Sequence, residues 1–396
     1  MSSEHNIRQA VILAGGRGSR LRPITDTIPK PMVLVCEKPF LLHLVEYLKE
    51  QGVGEIVLLL GYLGELVKDF FGDGSRFGIR IVYSVMPPEF DTGARIVAAR
   101  DILDDRFLLM YCDNYCPVQL ERLAEFHAEQ GVSAAITLYS NKYGVTKNNT
   151  QVDDFGRVRQ YDKKREAVGL NALDIGFFIL NKEVIDLLPE GNVSFEREAI
   201  PRLIEKNDLA GFVTHHAYYS VGSLERLPIA EKYLSPRKVL FLDRDGVINR
   251  KPKRAEYITS WEQFEFLPEA VSSLKSLRDC GYEMYIISNQ AGIARGAMSE
   301  GELDTIHHAM AMTLEKDGVA FGGVYYCPHG WDDGCECRKP RPGMFFRAAR
   351  EHHINLTRAI FVGDDERDKA AGVAAGCRTI LVDAEKGIQA ALKELL

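Results

Sequence analysis

Three cysteines and a histidine fall within eleven residues of CPHGWDDGCECRKPRPG, at Cys327, His329, Cys335 and Cys337. Thiolates and imidazole are what tetrahedral zinc takes, and C-x-H-x5-C-x-C supplies four such donors from one loop. With every position filled by protein, none is left for a reacting water, so the expected role is structural. A disulfide would use two of the cysteines and strand the third, and the redox spacing C-x-x-C is absent. The remaining cysteines (Cys36, Cys112, Cys116, Cys280, Cys377) are scattered, mostly in apolar stretches, as reduced buried thiols are. Arg338 and Lys339 follow the last thiol at once. Zinc is expected to fix an otherwise structureless turn so that both cations face a phosphate.

A second cluster lies in FLDRDGVIN at 241–249, where Asp243 and Asp245 sit two apart at the end of an apolar run. Strand periodicity aims such residues to one side, and two carboxylates so close repel unless a divalent cation shields them. The same D-x-D-G fits an Asx-rich turn or the start of a calcium loop, but no further oxygen ligands follow at calcium-loop spacing. Ser288 and Asn289 in YIISNQAGIARG, and Asp364 with Asp365 in IFVGDDERD, likewise follow apolar runs. A third candidate is LAGGRGSRLRPITDTIPKP at 13–31. Gly15, Gly16 and Gly18 let backbone N–H groups close on a phosphate chain, with Arg17, Arg20 and Lys30 as cationic partners. It lacks the G-K-[ST] of a Walker loop and the dinucleotide fingerprint.

These residues need elements to hold them. The 396 residues are 46% hydrophobic and 27% charged, an ordinary globular composition of two or three domains. The net charge of −7 gives no general attraction to nucleic acid or acidic lipid, so an anionic ligand must be held by local cations. The longest apolar runs are too short to span a bilayer and no secretory leader is read; a cytoplasmic protein with no nucleic-acid or membrane partner is expected. Strand candidates at 9–14, 55–60, 79–84, 106–111 and 133–139 alternate with amphipathic stretches such as 40–51 and 118–130. A second series, 238–242, 283–287, 359–362 and 378–382, alternates with helical stretches at 268–280, 299–316 and 343–352. Such alternation reads as α/β twice over, each half a mostly parallel sheet with ligands beyond the strands' carboxyl ends. EKYLSPRK at 231–238 is the junction, giving domains 1–235 and 236–396. The stretch 33–53 reads as core packing rather than site.

The loop at 13–31 continues as L-x-P-x-T-x-x-x-P-K-P, and residues 8–234 closely resemble the sugar-1-phosphate nucleotidyltransferases. The resemblance implies an N-terminal Rossmann-like nucleotidyltransferase fold in which Arg20 contacts a nucleoside triphosphate and neutralises the departing pyrophosphate, while Lys30 steadies the phosphates. It places the base at EFDTGARI, around Gly93, and magnesium on Asp113 of MYCDNY. In QYDKK it puts Asp162 near the sugar and Lys163 on the sugar phosphate. One departure stands out: YYSVGS at 218–223 carries Ser220 where the family usually has its second metal-binding Asp. A hydroxyl is a poor Mg²⁺ ligand beside a carboxylate, so either Asp113 and the triphosphate hold the metal alone or the domain is slow.

Residues 237–396 resemble the haloacid-dehalogenase-type phosphatases in four motifs, implying a C-terminal Rossmannoid domain with a zinc loop. Asp243 would be the nucleophile, Asp245 the general acid and then base. Ser288 and Lys339 would hold the phosphoryl group, and Asp243, Asp245 and Asp364 would bind Mg²⁺. The zinc loop, NQAGIARGAMSE, EYITSWEQFEFLPEA and YYCPH narrow the likeness to the histidinol-phosphate and heptose-1,7-bisphosphate group, nearest its heptose member. Asn289, Arg295 and Arg338 would then meet substrate, the arginines at the phosphate that stays on the sugar. Asp365 departs from the Lys or Ser common there and adds negative charge beside the metal.

Together the halves imply a bifunctional enzyme of activated-heptose synthesis for a lipopolysaccharide, capsule or S-layer glycan. One half would remove the 7-phosphate from D-glycero-D-manno-heptose 1,7-bisphosphate, and the other would join heptose 1-phosphate to GMP from GTP. Three alternatives stay open: another sugar or a histidinol-type phosphate, a non-catalytic sugar-nucleotide sensor, or a structural N-terminal module. The sequence also leaves a homo-oligomer open.

Overall fold

The computed structural model describes residues 6–253 and 255–396. The chain divides into two compact units, one ending at Leu234 and one spanning Ser235–Leu396. Among the described residues no helix is long and apolar enough to cross a membrane.

The first unit is built on a seven-stranded sheet. Its strands are β1 (Gln9–Ala14), β2 (Glu55–Leu60), β3 (Arg80–Val85), β4 (Arg106–Tyr111), β5 (Ala134–Tyr139), β6 (Leu173–Asn181) and β7 (Leu209–Thr214). They lie in the order β7-β5-β6-β4-β1-β2-β3. QAVILA of β1 is buried at every position, the continuous apolar run of a strand covered on both faces. β1 pairs in parallel with β2 and β4. β6 runs antiparallel to both β4 and β5, so this sheet is mixed, and β6 and β7 lie outside the strands read from sequence. Helix Phe40–Glu50 buries eight of its eleven residues against the core, in line with the packing role expected for 33–53.

The second unit has a five-stranded, wholly parallel sheet of β8 (Lys238–Leu242), β9 (Tyr282–Asn289), β10 (Phe321–Cys327), β11 (Ile360–Gly363) and β12 (Arg378–Leu381), ordered β10-β9-β8-β11-β12. β8 is central, so its carboxyl end opens between the ends of β9 and β11. Helix Glu300–Glu315 starts on a capping box from Ser299 and Glu302. Helix Glu366–Ala375 starts on another, from Asp365 and Asp368, each satisfying N–H groups that the first turn leaves without partners.

Candidate active sites

Asp243 follows β8, Ser288 is the penultimate residue of β9, and Asp364 follows β11, so the parallel order sets all three at one mouth. Lys339 joins them from the loop after Cys337. It is almost fully buried, and its ammonium lies 2.9 Å from Asp243 Oδ2 and 2.7 Å from Asp368 Oδ1. It also donates to the Ile287 carbonyl at 3.0 Å. Asn289 clamps the Lys339 main chain from both sides, donating to its carbonyl and accepting its N–H at 3.1 and 3.0 Å. Asp368, absent from the sequence reading, enters through the capping box: its Oδ2 accepts the N–H groups of Asp364 and Asp365 at 3.0 and 3.2 Å. Gly246 has φ +85°, and a side chain there would meet Asp364 Oδ2 at 2.3 Å; the glycine of D-x-D-G lets that carboxylate approach.

Carboxylate oxygens of Asp243, Asp364 and Asp368 lie within 4.8 Å of one another, and Asp364 Oδ1 is buried with no hydrogen-bond partner among the described residues. Three convergent hard oxygens with one open acceptor fit a divalent cation. Burial, with the neighbouring Asp368 carboxylate, pushes Asp243 up to about 7 against the downward pull of Lys339. Lys251 reaches Asp364 Oδ2 at 2.6 Å.

Asp245 departs from its expected metal role. Its carboxylate stands apart from that group because the wholly buried Arg244 grips it through both oxygens, at 3.0 and 3.1 Å. Asn249 and Gln290 add hydrogen bonds at 2.9 and 3.3 Å. Burial raises Asp245, but Arg244 and these donors outweigh it and hold the carboxyl below its usual range. A cavity of about 650 Å³ takes in Asp243, Asp245, Ser288, Asn289, Lys339, Arg338, Asp364 and Trp331. Arg295 does not line it; exposed, its guanidinium stacks 4.0 Å from the centre of the Trp331 ring. The charge of Asp365 is answered by Arg367, at 2.8 and 2.9 Å.

Cys327, His329, Cys335 and Cys337 converge. Sγ–Sγ separations are 3.6, 3.3 and 3.5 Å, and His329 Nδ1 lies 3.6 and 3.2 Å from Cys327 and Cys337. These are too long for disulfides, at ~2.0 Å. They approach the edges of a tetrahedron with arms of ~2.3 Å to sulfur and ~2.0 Å to nitrogen, which are ~3.5–3.8 Å. The cluster begins at the end of β10 and ends beside Lys339.

In the first unit a cavity of about 340 Å³ is lined by Gly15, Gly16, Gly18, Arg20, Lys30 and Asp113, with Asp91, Thr92, Arg95, Tyr111 and Gly222. Lys30 Nζ lies 2.5 Å from Asp113 Oδ2. Arg95 is buried and donates to four carbonyls, those of Leu60, Met86, Pro87 and Phe90. It thereby holds segment 86–90 at the cavity's edge. Gly15 makes room for it, since a Cβ there would lie 2.3 Å from Arg95 Cζ.

The nucleotidyl transferase family model matches residues 9–235, more than half of the chain, and a HAD-hydrolase-like model matches residues 336–395. The chain belongs to the nucleotidyl transferase family, with a HAD-like hydrolase fused behind it. The hydrolase half is similar to the D-glycero-beta-D-manno-heptose-1,7-bisphosphate 7-phosphatase of Pseudomonas putida, 39% identical over 38% of this chain and 85% of that protein. It is also similar to the corresponding alpha-heptose phosphatase of Photorhabdus laumondii, 42% identical over 35% of this chain and 78% of that one. The transferase half is similar to mannose-1-phosphate guanyltransferase 2 of Candida glabrata, 34% identical over 54% of this chain; the match spans 61% of that protein's length.

Four residues expected in the transferase site do not line this cavity. Gly93 packs against segment 193–195, its N–H donating to Val193 at 2.9 Å, and a Cβ there would meet that carbonyl at 2.8 Å; its neighbours Asp91 and Thr92 line the cavity instead. Asp162 builds a turn, accepting the N–H groups of Lys164, Glu166 and Ala167 at 2.8–2.9 Å. Lys163 pairs with Glu196. Arg17, read as a phosphate partner, pairs with Glu89 at 3.1 Å.

Proposed function

We propose that this chain is a bifunctional enzyme of activated-heptose synthesis, acting through domains 1–235 and 236–396 in the cytoplasm. The hydrolase domain removes the 7-phosphate from D-glycero-D-manno-heptose 1,7-bisphosphate, and the transferase domain joins heptose 1-phosphate to GMP from GTP, releasing pyrophosphate. The observation that carries this reading is that each half gathers cationic side chains at a cavity of its own, Lys339 with Asp243 in one and Lys30 with the Gly15–Gly18 loop in the other. The names of the relatives supply the substrates, a heptose bisphosphate and a guanylyl group.

In the hydrolase, a carboxylate oxygen of Asp243 attacks the phosphorus, and the bond to the sugar oxygen breaks as that oxygen takes a proton from Asp245. Water then attacks the aspartyl-phosphate, giving its proton back to Asp245 and freeing phosphate. As placed, Asp245 is ionised and suited to the second step; the first requires it to loosen from Arg244 and carry a proton. Lys339 and Ser288 hold the phosphoryl oxygens, and Arg338 meets the far phosphate. Mg²⁺ on Asp243, Asp364 and Asp368 would neutralise charge on the transferring group. Zinc on Cys327, His329, Cys335 and Cys337 would hold the loop that delivers Arg338 and Lys339.

In the transferase, the sugar phosphate oxygen attacks the α-phosphate and pyrophosphate leaves. No protein nucleophile is needed, so Arg20, Lys30 and the glycine loop act by position and charge. Asp113 would hold Mg²⁺, which screens the triphosphate.

Asp243→Asn tests the division of labour. Phosphate release from heptose bisphosphate should vanish while pyrophosphate release from GTP and heptose 1-phosphate persists. Surviving phosphatase activity would remove Asp243 as nucleophile.

A further inference from the structure

Asp113 is paired with Lys30. Its Oδ2 takes Lys30 Nζ at 2.5 Å, so one full charge already answers another. The short strand pair Asn114–Tyr115 and Tyr219–Ser220 sets Ser220 opposite Asn114, and the Val221 N–H donates to the Asp113 carbonyl at 2.9 Å. A side chain at Gly222 would meet Ser220 Oγ at 3.1 Å, Arg20 Nη2 at 3.6 Å and Asp113 Oδ2 at 4.0 Å, so the three groups surround one glycine. Ser220 is buried, and its hydroxyl accepts the Gly222 N–H at 3.1 Å.

The charged side chains of the cavity sum to a net positive charge: Arg20, Lys30 and Arg95 against Asp91 and Asp113, with Ser220 neutral. A divalent cation arriving alone meets repulsion from two cations at close range. A triphosphate arriving alone is attracted by both, and once bound it supplies the negative oxygens that make a hard-cation site.

We propose, on the nucleotidyl-transfer reading above, that this site takes its divalent cation only together with the nucleotide, and that Ser220 is the residue that imposes this order. As the cation reaches Asp113, Lys30 is released to the phosphates.

The test is Mn²⁺ binding by electron paramagnetic resonance on the full chain carrying Asp364→Asn, which weakens the hydrolase's cation site. Titrations are run with and without a non-hydrolysable GTP analogue. Without the analogue, no bound Mn²⁺ that Asp113→Asn removes is expected; with it, one such ion. Ser220→Asp supplies the second carboxylate and should tighten nucleotide-free Mn²⁺ binding by about tenfold or more. A nucleotide-independent ion that Asp113→Asn removes while Ser220 is in place would overturn the proposal. So would an unchanged affinity in a Ser220→Asp variant that melts with its parent. Calorimetry separates the deeper failure: the analogue should bind even in EDTA, whereas no binding with or without cation would overturn the nucleotidyl-transfer reading itself.

Discussion

Lys339 Nζ sits 2.9 Å from Asp243 Oδ2, inside the fold and almost out of reach of water. A buried ammonium is costly unless fully partnered, and here Asp243, Asp368 and the Ile287 carbonyl share it. Lys339→Met removes a buried cation placed beside Asp243. Phosphate release should fall about 10²–10³-fold, and Lys339→Arg should not restore it, because a planar fork cannot meet these three acceptors. Steady-state kinetics on the bisphosphate, beside unchanged nucleotidyl transfer, is the check.

On the proposed reading, the four-ligand loop holds Arg338 and Lys339 in place. Purified protein should hold about one equivalent of zinc that resists mild chelation. Cys335→Ser should lose it, lower the melting temperature of the hydrolase domain and cut phosphatase turnover at least about tenfold, leaving transfer intact. Metal analysis and calorimetry read both; a metal-free, fully active protein would remove zinc from the mechanism.

Gly15 and Arg95 occupy the same space. Gly15→Ala forces the guanidinium off carbonyls it meets at 2.6–3.2 Å, and lost hydrogen bonds to a buried charge cost about 1.5–3 kcal/mol each. GTP affinity should drop about tenfold or more by calorimetry, with phosphatase kinetics untouched.

Asp174 titrates far from its usual range. Burial, with Glu196 nearby, pushes it up to about 7 against hydrogen bonds from Gly176 and Tyr161. A carboxyl whose folded pKa is raised favours the fold while protonated. Its contribution is fully present below about pH 4 and is lost as pH rises toward 7. Asp174→Asn should therefore raise the melting temperature at pH 8, by about 2–4 °C per kcal/mol recovered, and change little at pH 4. Scanning calorimetry at the two pH values decides it.

Much of this was legible in the residues. Apolar runs that end in Gly, Asp or Ser marked where β1, β8, β9 and β11 stop, and parallel pairing did the rest. β6 and β7 escaped that reading, as did β10, whose FGGVYYC has two glycines after its first residue that weaken a strand signal. Asp368 carried a readable signal, an acidic residue three after the cap Asp365, but the same side chain both caps the helix and joins the carboxylate group with Asp243 and Asp364. Arg244 sits between the two acidic residues of D-x-D-G, and only its burial shows it gripping Asp245. Arg95 left no trace because its partners are backbone carbonyls, which sequence does not distinguish. In YDKKREA the Asp162 carboxylate also serves a local turn and Lys163 pairs with Glu196, neither of which the sequence distinguishes from a role at the sugar.

The most direct trial supplies D-glycero-D-manno-heptose 1,7-bisphosphate with GTP, ATP, CTP or UTP in turn and follows phosphate and pyrophosphate separately. Phosphate should appear first with every nucleotide, followed by pyrophosphate with GTP alone, and Asp243→Asn should silence both unless heptose 1-phosphate is added. Pyrophosphate released directly from the bisphosphate in Asp243→Asn, or phosphate with no pyrophosphate from any nucleotide, would contradict two coupled active sites.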